Sequence, residues 1–383
     1  MRKILYLFVG FALFLSLFIL PVQAQENNTD SSLEPAKALT AEAEVLKIVE
    51  EQEYRRDNGQ VITQQNLELG ILTGPFKGQI KNYYGISNLD VVAVQNYKVG
   101  DKVIVSYDQN EAGEYNFYII DFVRTPILLY LAIIFVLVVL IIGGKKGFFS
   151  ILSLALTFFL IIKVLVPLVF RGWDPLWTGI GISFLILLVL IYLTEGWNKK
   201  SHLAIISISI SLLITALLAW VFGSSSRLSG TGNEEVIFLI ETLNIPISFH
   251  RLLLASIIIG ALGVLDDIVV GQIEAVAQIK EANPNLKPQQ VFKMGLKLAR
   301  THLGAIINTL FLAYVSASLP LVLLFSIHQE PFLSTTQIIN NENIATEIVR
   351  TLVGVIGICL AAPLATFLAA YHLDSTTTKK NNR

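Results

Sequence analysis

The sequence predicts an α-helical polytopic membrane protein with a small N-terminal β-barrel head of OB-like type. Three observations carry this. Of 383 residues, 54% are hydrophobic and only 15% are charged, a membrane-protein composition. From Pro126 the chain is a series of long apolar runs. Between Thr40 and Arg124 it instead alternates apolar and polar residues in short stretches separated by turn residues.

Met1-Arg2-Lys3, the apolar run Ile4–Leu20 and Val22/Ala24 at small-residue cleavage positions read as a secretory signal peptide over 1–24. The run is also long enough for an uncleaved N-terminal anchor. Residues 25–39 are polar and read as a flexible tether. The head, 40–124, alternates in Ala43–Val49, Asn66–Leu72, Lys102–Tyr107 and Tyr115–Ile120. Asp57-Asn58-Gly59, Thr73-Gly74-Pro75, Val99-Gly100-Asp101 and Glu111-Ala112-Gly113 punctuate it, a spacing that suits about five short strands. No basic aromatic face accompanies them, so no nucleic acid is expected as a partner.

The bundle, 126–372, contains apolar runs at 126–142, 148–170, 176–194, 202–222, 252–270, 303–327 and 348–372. Each is of a length to cross ~30 Å of hydrocarbon. That makes seven spans after a cleaved signal, or eight with an anchor. Lys145-Lys146, Lys199-Lys200, the five basic residues from Lys280 to Arg300, and the basic tail 373–383 alternate with loops poor in Lys and Arg. The positive-inside rule then puts the head outside the plasma membrane and the C-terminus in the cytoplasm. Between the fifth and sixth spans, Gln290–Arg300 reads as a basic amphipathic helix, either lying on the cytoplasmic leaflet or packing under the bundle.

Charge inside a span is expensive and is suspected of function. The fifth span carries Asp266 and Asp267 with Gln272; the sixth carries His302, Asn308 and Thr309 at matching depth. These six residues form the expected solute or ion pathway. Gly260, Gly263, Asp267, Gly271 and Glu274 share one helical stripe. That stripe is expected to meet another helix through its glycines, turning Asp267 into the contact, with Asp266 about 100° round. In the last span Gly354 and Gly357 are expected to pack in the same way. Lys163 is the other deep charge. It either pairs with an acid or reaches to the interface.

The block Gly260–Asp267 (GALGVLDD) is followed by Asn308-Thr309-Leu310, Ala313-Tyr314 and Ser318-Leu319-Pro320, then by Asn340-Asn341-Glu342 and Glu347-Ile348-Val349-Arg350. With Thr73–Gly78 and Val99–Val103 in the head, this pattern resembles the YibE/F-like family of multi-pass membrane proteins, from about residue 40 onward. It departs at Arg300-Thr301-His302, where many members carry an acid between the arginine and histidine. The resemblance implies architecture; activity has to be argued from residues.

No nucleotide-binding, serine-hydrolase or zinc-protease motif is present, and the five histidines are scattered without ligand spacing. The chain is therefore expected not to be an enzyme and to need no cofactor or metal. Two functions stay open. One is a permease or exporter of a small solute using the intramembrane carboxylates. The other is a non-catalytic accessory or scaffold protein whose head recruits an extracytoplasmic partner. The expected partners are the lipid bilayer, a solute or ion, a protein at the head, and a second copy of the chain.

Overall fold

The computed structural model describes residues 39–55, 61–86, 96–110, 113–242, 247–326 and 334–373. The signal peptide or anchor, the tether up to residue 38 and the tail beyond 373 lie outside them. The chain divides into two compact units, Met1–Val138 and Val139–Arg383.

The first unit contains the head, a five-stranded antiparallel sheet. Its strands are β1 (Leu39–Arg55), β2 (Val61–Ile71), β3 (Ile80–Tyr84), β4 (Lys102–Gln109) and β5 (Tyr115–Phe122), in the order β3-β2-β1-β4-β5. β1 is long because it serves two partners, β4 through Leu39–Glu44 and β2 through most of its length. Register shifts at Val45/Lys47 and Ile48/Glu50 bend it, curling the sheet so that one face closes on itself. Alternate residues Ala41, Ala43, Val45, Leu67, Leu69, Val103 and Val105 fill that face. This is a half-barrel: among the described residues β3 and β5 are edges without a ladder between them. Side chains bridge the seam instead. Lys81 lies over Phe76 and Phe117 at 5.2 and 5.8 Å, and Tyr97 packs edge-on against Tyr83 and tilted against Phe122.

The head has its own core, so a fragment covering residues 39–124 is expected to fold in solution, with a strand-rich circular dichroism spectrum and a cooperative melt. Burial, followed by the charges of Tyr83 and Asp121, pushes the Tyr97 phenol from an ordinary 10.0 up to about 12. The folded fragment thus holds that proton more tightly than the unfolded chain. The associated stability is complete below pH ~10 and is lost as pH rises toward ~12. Phenolate absorbance that titrates wholly near 10 with no loss of fold would contradict this. At the end of β5, Arg124 Nη1 reaches Asp121 at 2.6 Å and holds its carboxylate below the usual range.

Among the described residues six helices are long and apolar enough to cross a membrane. The first stretch, Thr125–Phe170, comprises α1 (Thr125–Leu160), a π-helical turn at Ile161–Leu165 and α2 (Val166–Phe170). At 46 residues it exceeds one crossing. It breaks at Gly144 (φ 54°, ψ −129°), a conformation suited to glycine. The Val139 carbonyl oxygen lies where a Gly147 Cβ would stand. Eight residues of straight helix would separate those positions by ~12 Å, so the chain turns back there. Lys163 is half-buried within the π turn.

The bundle continues with α3 (Pro175–Thr194), α4 (Lys199–Ser225), the short α5 (Glu234–Thr242), α6 (Phe249–Ala282), α7 (Pro288–Ala317), α8 (Leu319–Ser326), α9 (Thr335–Ile339) and α10 (Glu342–His372). Asp174 caps α3, accepting from the Leu176 and Trp177 amides, with Pro175 as its first residue. Asn198 caps α4 and Asn341 caps α10. Two expectations change here. The amphipathic segment 290–300 is the first part of α7, continuous with the span, with Val291 and Ala299 buried. Gly295 sits on Val276 and Thr366, so the segment is no separate surface helix but packs against α6 and α10, the second of its two expected placements. The sixth apolar run is not one helix: the chain breaks at Ser318, and Pro320 lies in the first turn of α8.

Candidate functional site

Helix α6 is the centre of the bundle, packed by α3, α4, α7 and α10. Its bulky apolar residues decide which way it faces. Leu254, Ile257, Ile258, Leu262, Leu265, Ile268, Val269, Ile273 and Val276 are all buried, because apolar side chains repeated at three- and four-residue steps build the tightest contact. What remains is one stripe. Between Leu252 and Lys280 the exposed residues of α6 are Ser256, Gly260, Gly263, Asp267, Gly271, Glu274 and Gln278. None is apolar beyond glycine.

This corrects the expected glycine contact. A Cβ at Gly263 or Gly271 would meet nothing within 4 Å, and at Gly260 only the Tyr314 hydroxyl at 4.0 Å. Glycines fail to draw a neighbour here because the branched residues opposite offer far more contact area. Asp267 is therefore exposed on the stripe rather than turned into a helix contact. Asp266 is the inward member of the pair. It lies eleven residues after Ala255, which abuts Gly179 of α3, and so falls on the same side of α6. Its Oδ1 is buried and accepts no hydrogen bond among the described residues.

The other expected pathway residues separate. Gln272 is buried, and its Nε2 donates to the Gly295 carbonyl oxygen at 2.8 Å; it ties α6 to α7 rather than facing a solute. His302, Asn308 and Thr309 are exposed on α7. The Thr309 hydroxyl donates back to the Ala305 carbonyl. Among the described residues no hydrogen bond or ion pair joins these three to Asp266 or Asp267. At one end of the stripe Glu274 pairs with Lys200 at 2.8 Å, close to Glu195, which Lys146 reaches at 3.1 Å. On α10, Gly357 does pack, against Thr215 of α4, whereas a Cβ at Gly354 would meet open space.

The other end of the stripe approaches a cavity that the chemical reading of the spans missed. It measures about 340 Å³ and is lined by Gly230, Gly232, Asn233, Leu253, Ser318, Pro320 and the first turns of α10, namely Glu342, Asn343, Thr346, Glu347 and Arg350. Glu342 is held by the loop before α5: Oε1 accepts from the Ser229 amide (2.8 Å), the Ser229 hydroxyl (2.7 Å) and the Gly230 amide (2.7 Å). Arg350 Nη1 donates to Glu347 Oε1 at 2.6 Å. The signal was present in the sequence, since Asn343, Glu347 and Arg350 recur at steps of four and three on the start of an apolar span.

A family model described as YibE/F-like protein matches residues 131–375, and one described as the YibE/F family N-terminal domain matches residues 40–122. The chain belongs to the YibE/F family. No curated protein and no solved structure matches. The two matched regions of this YibE/F chain correspond to the sheet and to the helical bundle. Three of the sequence blocks that carried the resemblance meet in space: Ser318 and Pro320 from the α7–α8 break line the cavity with Glu342, Glu347 and Arg350 of α10. Among the described residues no group of three or more His, Cys, Asp or Glu could hold a metal ion.

Proposed function

We propose that this YibE/F-family chain is a non-enzymatic permease or exporter of a small solute in the plasma membrane. In this reading α1 makes two crossings about Gly144, giving seven spans. The head is extracytoplasmic and the C-terminus cytoplasmic. Asp266 and Asp267 are the coupling carboxylates. No cofactor is needed.

One observation carries the reading, the polarity of the α6 stripe. Surface facing lipid should be as apolar as the interior. The exposed face of α4 obeys that rule with Ile206, Ile210, Leu213 and Leu217. The stripe of α6 breaks it. From Ser256 to Gln278 it runs ~33 Å at 1.5 Å per residue, about the thickness of the hydrocarbon layer. A polar stripe of that length on the central helix suits a wet path, with a carboxylate near its middle and glycines leaving room beside it. A carboxylate can also take up or release a proton, which is the means of coupling.

The glycines also fit a second reading, in which the stripe seats a helix of another copy and the protein acts as an accessory or scaffold. Cysteine scanning separates the two. With Cys359 replaced by serine, cysteines at Ser256, Gly263, Gly271 and Gln278 are expected to react with a membrane-impermeant thiol reagent, whereas cysteines at Ile210 and Leu217 do not. Efficient disulfide cross-linking between copies through Gly263 and Gly271, with no labelling, would favour the scaffold and sink the permease.

A further inference from the structure

We propose that the cavity between the α7–α8 break and the start of α10 is a binding site for a small organic ammonium ion. The charge of its wall gives the sign. Glu347 is matched by Arg350 at 2.6 Å. Glu342 has no cationic partner among the residues lining the cavity. The Ser229 and Gly230 amides and the Ser229 hydroxyl orient its carboxylate, but being neutral they leave its charge in place. The lining side chains thus carry one net negative charge, with the Glu342 carboxylate tethered at the wall. A carboxylate or phosphate ligand would meet two fixed carboxylates with the only guanidinium already engaged.

Size and lining narrow the class. About 340 Å³ lies at the lower end of small-molecule pockets. It is roughly ten times the ~30 Å³ share of one water, too roomy to grip a bare inorganic ion. Leu253 and Pro320 supply an apolar wall, and Asn343 with Thr346 supplies neutral polar groups beside the acids. That combination fits a short hydrocarbon chain ending in a protonated amine, which remains charged at neutral pH.

The assignment does not depend on the permease reading, because occupancy can be measured without any gradient. Full-length protein in lipid nanodiscs is titrated with butylamine, with butyrate and with potassium chloride at matched ionic strength, and its melting temperature is followed. Butylamine is expected to raise the midpoint saturably, while butyrate and potassium chloride do not. Glu342→Gln is expected to weaken the apparent affinity about tenfold or more, the loss of one charge contact. Thr346→Phe, which fills the cavity without altering its charge, is expected to do the same and decides the matter if Glu342→Gln fails to fold. Equal shifts with all three solutes, no shift with butylamine, or wild-type binding by a folded Thr346→Phe protein would each overturn the site. Binding with no solute movement in proteoliposomes would overturn the permease and leave this assignment standing.

Discussion

Asp266→Asn is expected to stop solute movement while leaving the protein folded and abundant. The expectation follows from what the carboxylate does not do. Its Oδ1 is buried and accepts no hydrogen bond among the described residues, so the substitution strands no donor on that side. A charge that sits in a low-dielectric interior without such a bond costs stability, and a neutral amide of the same volume removes that cost. The melting temperature should therefore stay level or rise slightly, corresponding to roughly 0–2 kcal/mol. Activity should move the other way. Asparagine cannot take up or release a proton, and removing a proton-transfer group usually costs about 10²–10⁴-fold in rate. Asp267→Asn should fold equally well, since Asp267 is exposed, and should change rate or selectivity less severely. Uptake by proteoliposomes, screened over small amines, ions and metabolites with an internal pH dye, reads both variants. If Asp266→Asn transports at the wild-type rate, the coupling role is wrong. If it fails to fold, the acid is a packing element with an essential partner.

The second large effect separates two glycines that look equivalent in the sequence. Gly354 and Gly357 lie one turn apart on α10. A Cβ at Gly357 would overlap the Thr215 hydroxyl, with Thr215 Cβ and Cγ2 only 3.4 and 3.5 Å away. That hydroxyl already donates to the Ser211 carbonyl at 2.8 Å, so moving it gives up a bond as well as the fit. Gly357→Ala should cost about 1–3 kcal/mol, the usual range for overpacking. At Gly354 the same methyl would meet nothing within 4 Å. Gly354→Ala should be neutral or stabilise by up to ~1 kcal/mol, since alanine is the better helix former. Thermal unfolding of the two variants in the same detergent checks the contrast, and a reversed order would contradict the α4–α10 contact.

These contrasts bear on how far the chain could be read from its letters. Long apolar runs and short alternating stretches announce themselves, because length and period follow directly from the geometry of helix and strand. Which face of a helix turns inward is a competition among all its neighbours. On α6 the branched residues Ile258, Leu265 and Val269 outweigh the glycines, so Asp266 and Asp267 exchange the roles that glycine spacing assigned them. Gln272 looked like a pathway residue because it is polar and deep. The Gly295 carbonyl that it binds lies 23 residues further along, on another helix. The cavity was harder still. Glu342 closes on Ser229, 113 residues away, and no local pattern encodes a partner at that distance. Even so, Ser318, Pro320, Glu342, Glu347 and Arg350 around it belong to the blocks that carry the family resemblance.

The route by which the head's sheet is assembled during synthesis follows from its strand order. β1 and β2 are neighbours in the chain and pair from Ala43–Ile71 to Arg55–Val61, and β3 adds to β2 by a short connection. These hairpins can form as soon as they are made, within microseconds. β4, by contrast, must return to the start of β1, pairing Ala41 with Val105, and it brings β5 with it as a hairpin. Until then Leu39–Glu44 of β1 present an unprotected edge on the side that β4 will take, the kind of surface that recruits other chains. The slow, error-prone step for this head is thus expected to be the late docking of the β4–β5 hairpin. Substitutions that speed that hairpin alone, at Asn110 or Gly113 between the two strands, should raise the yield of folded protein without altering the finished sheet.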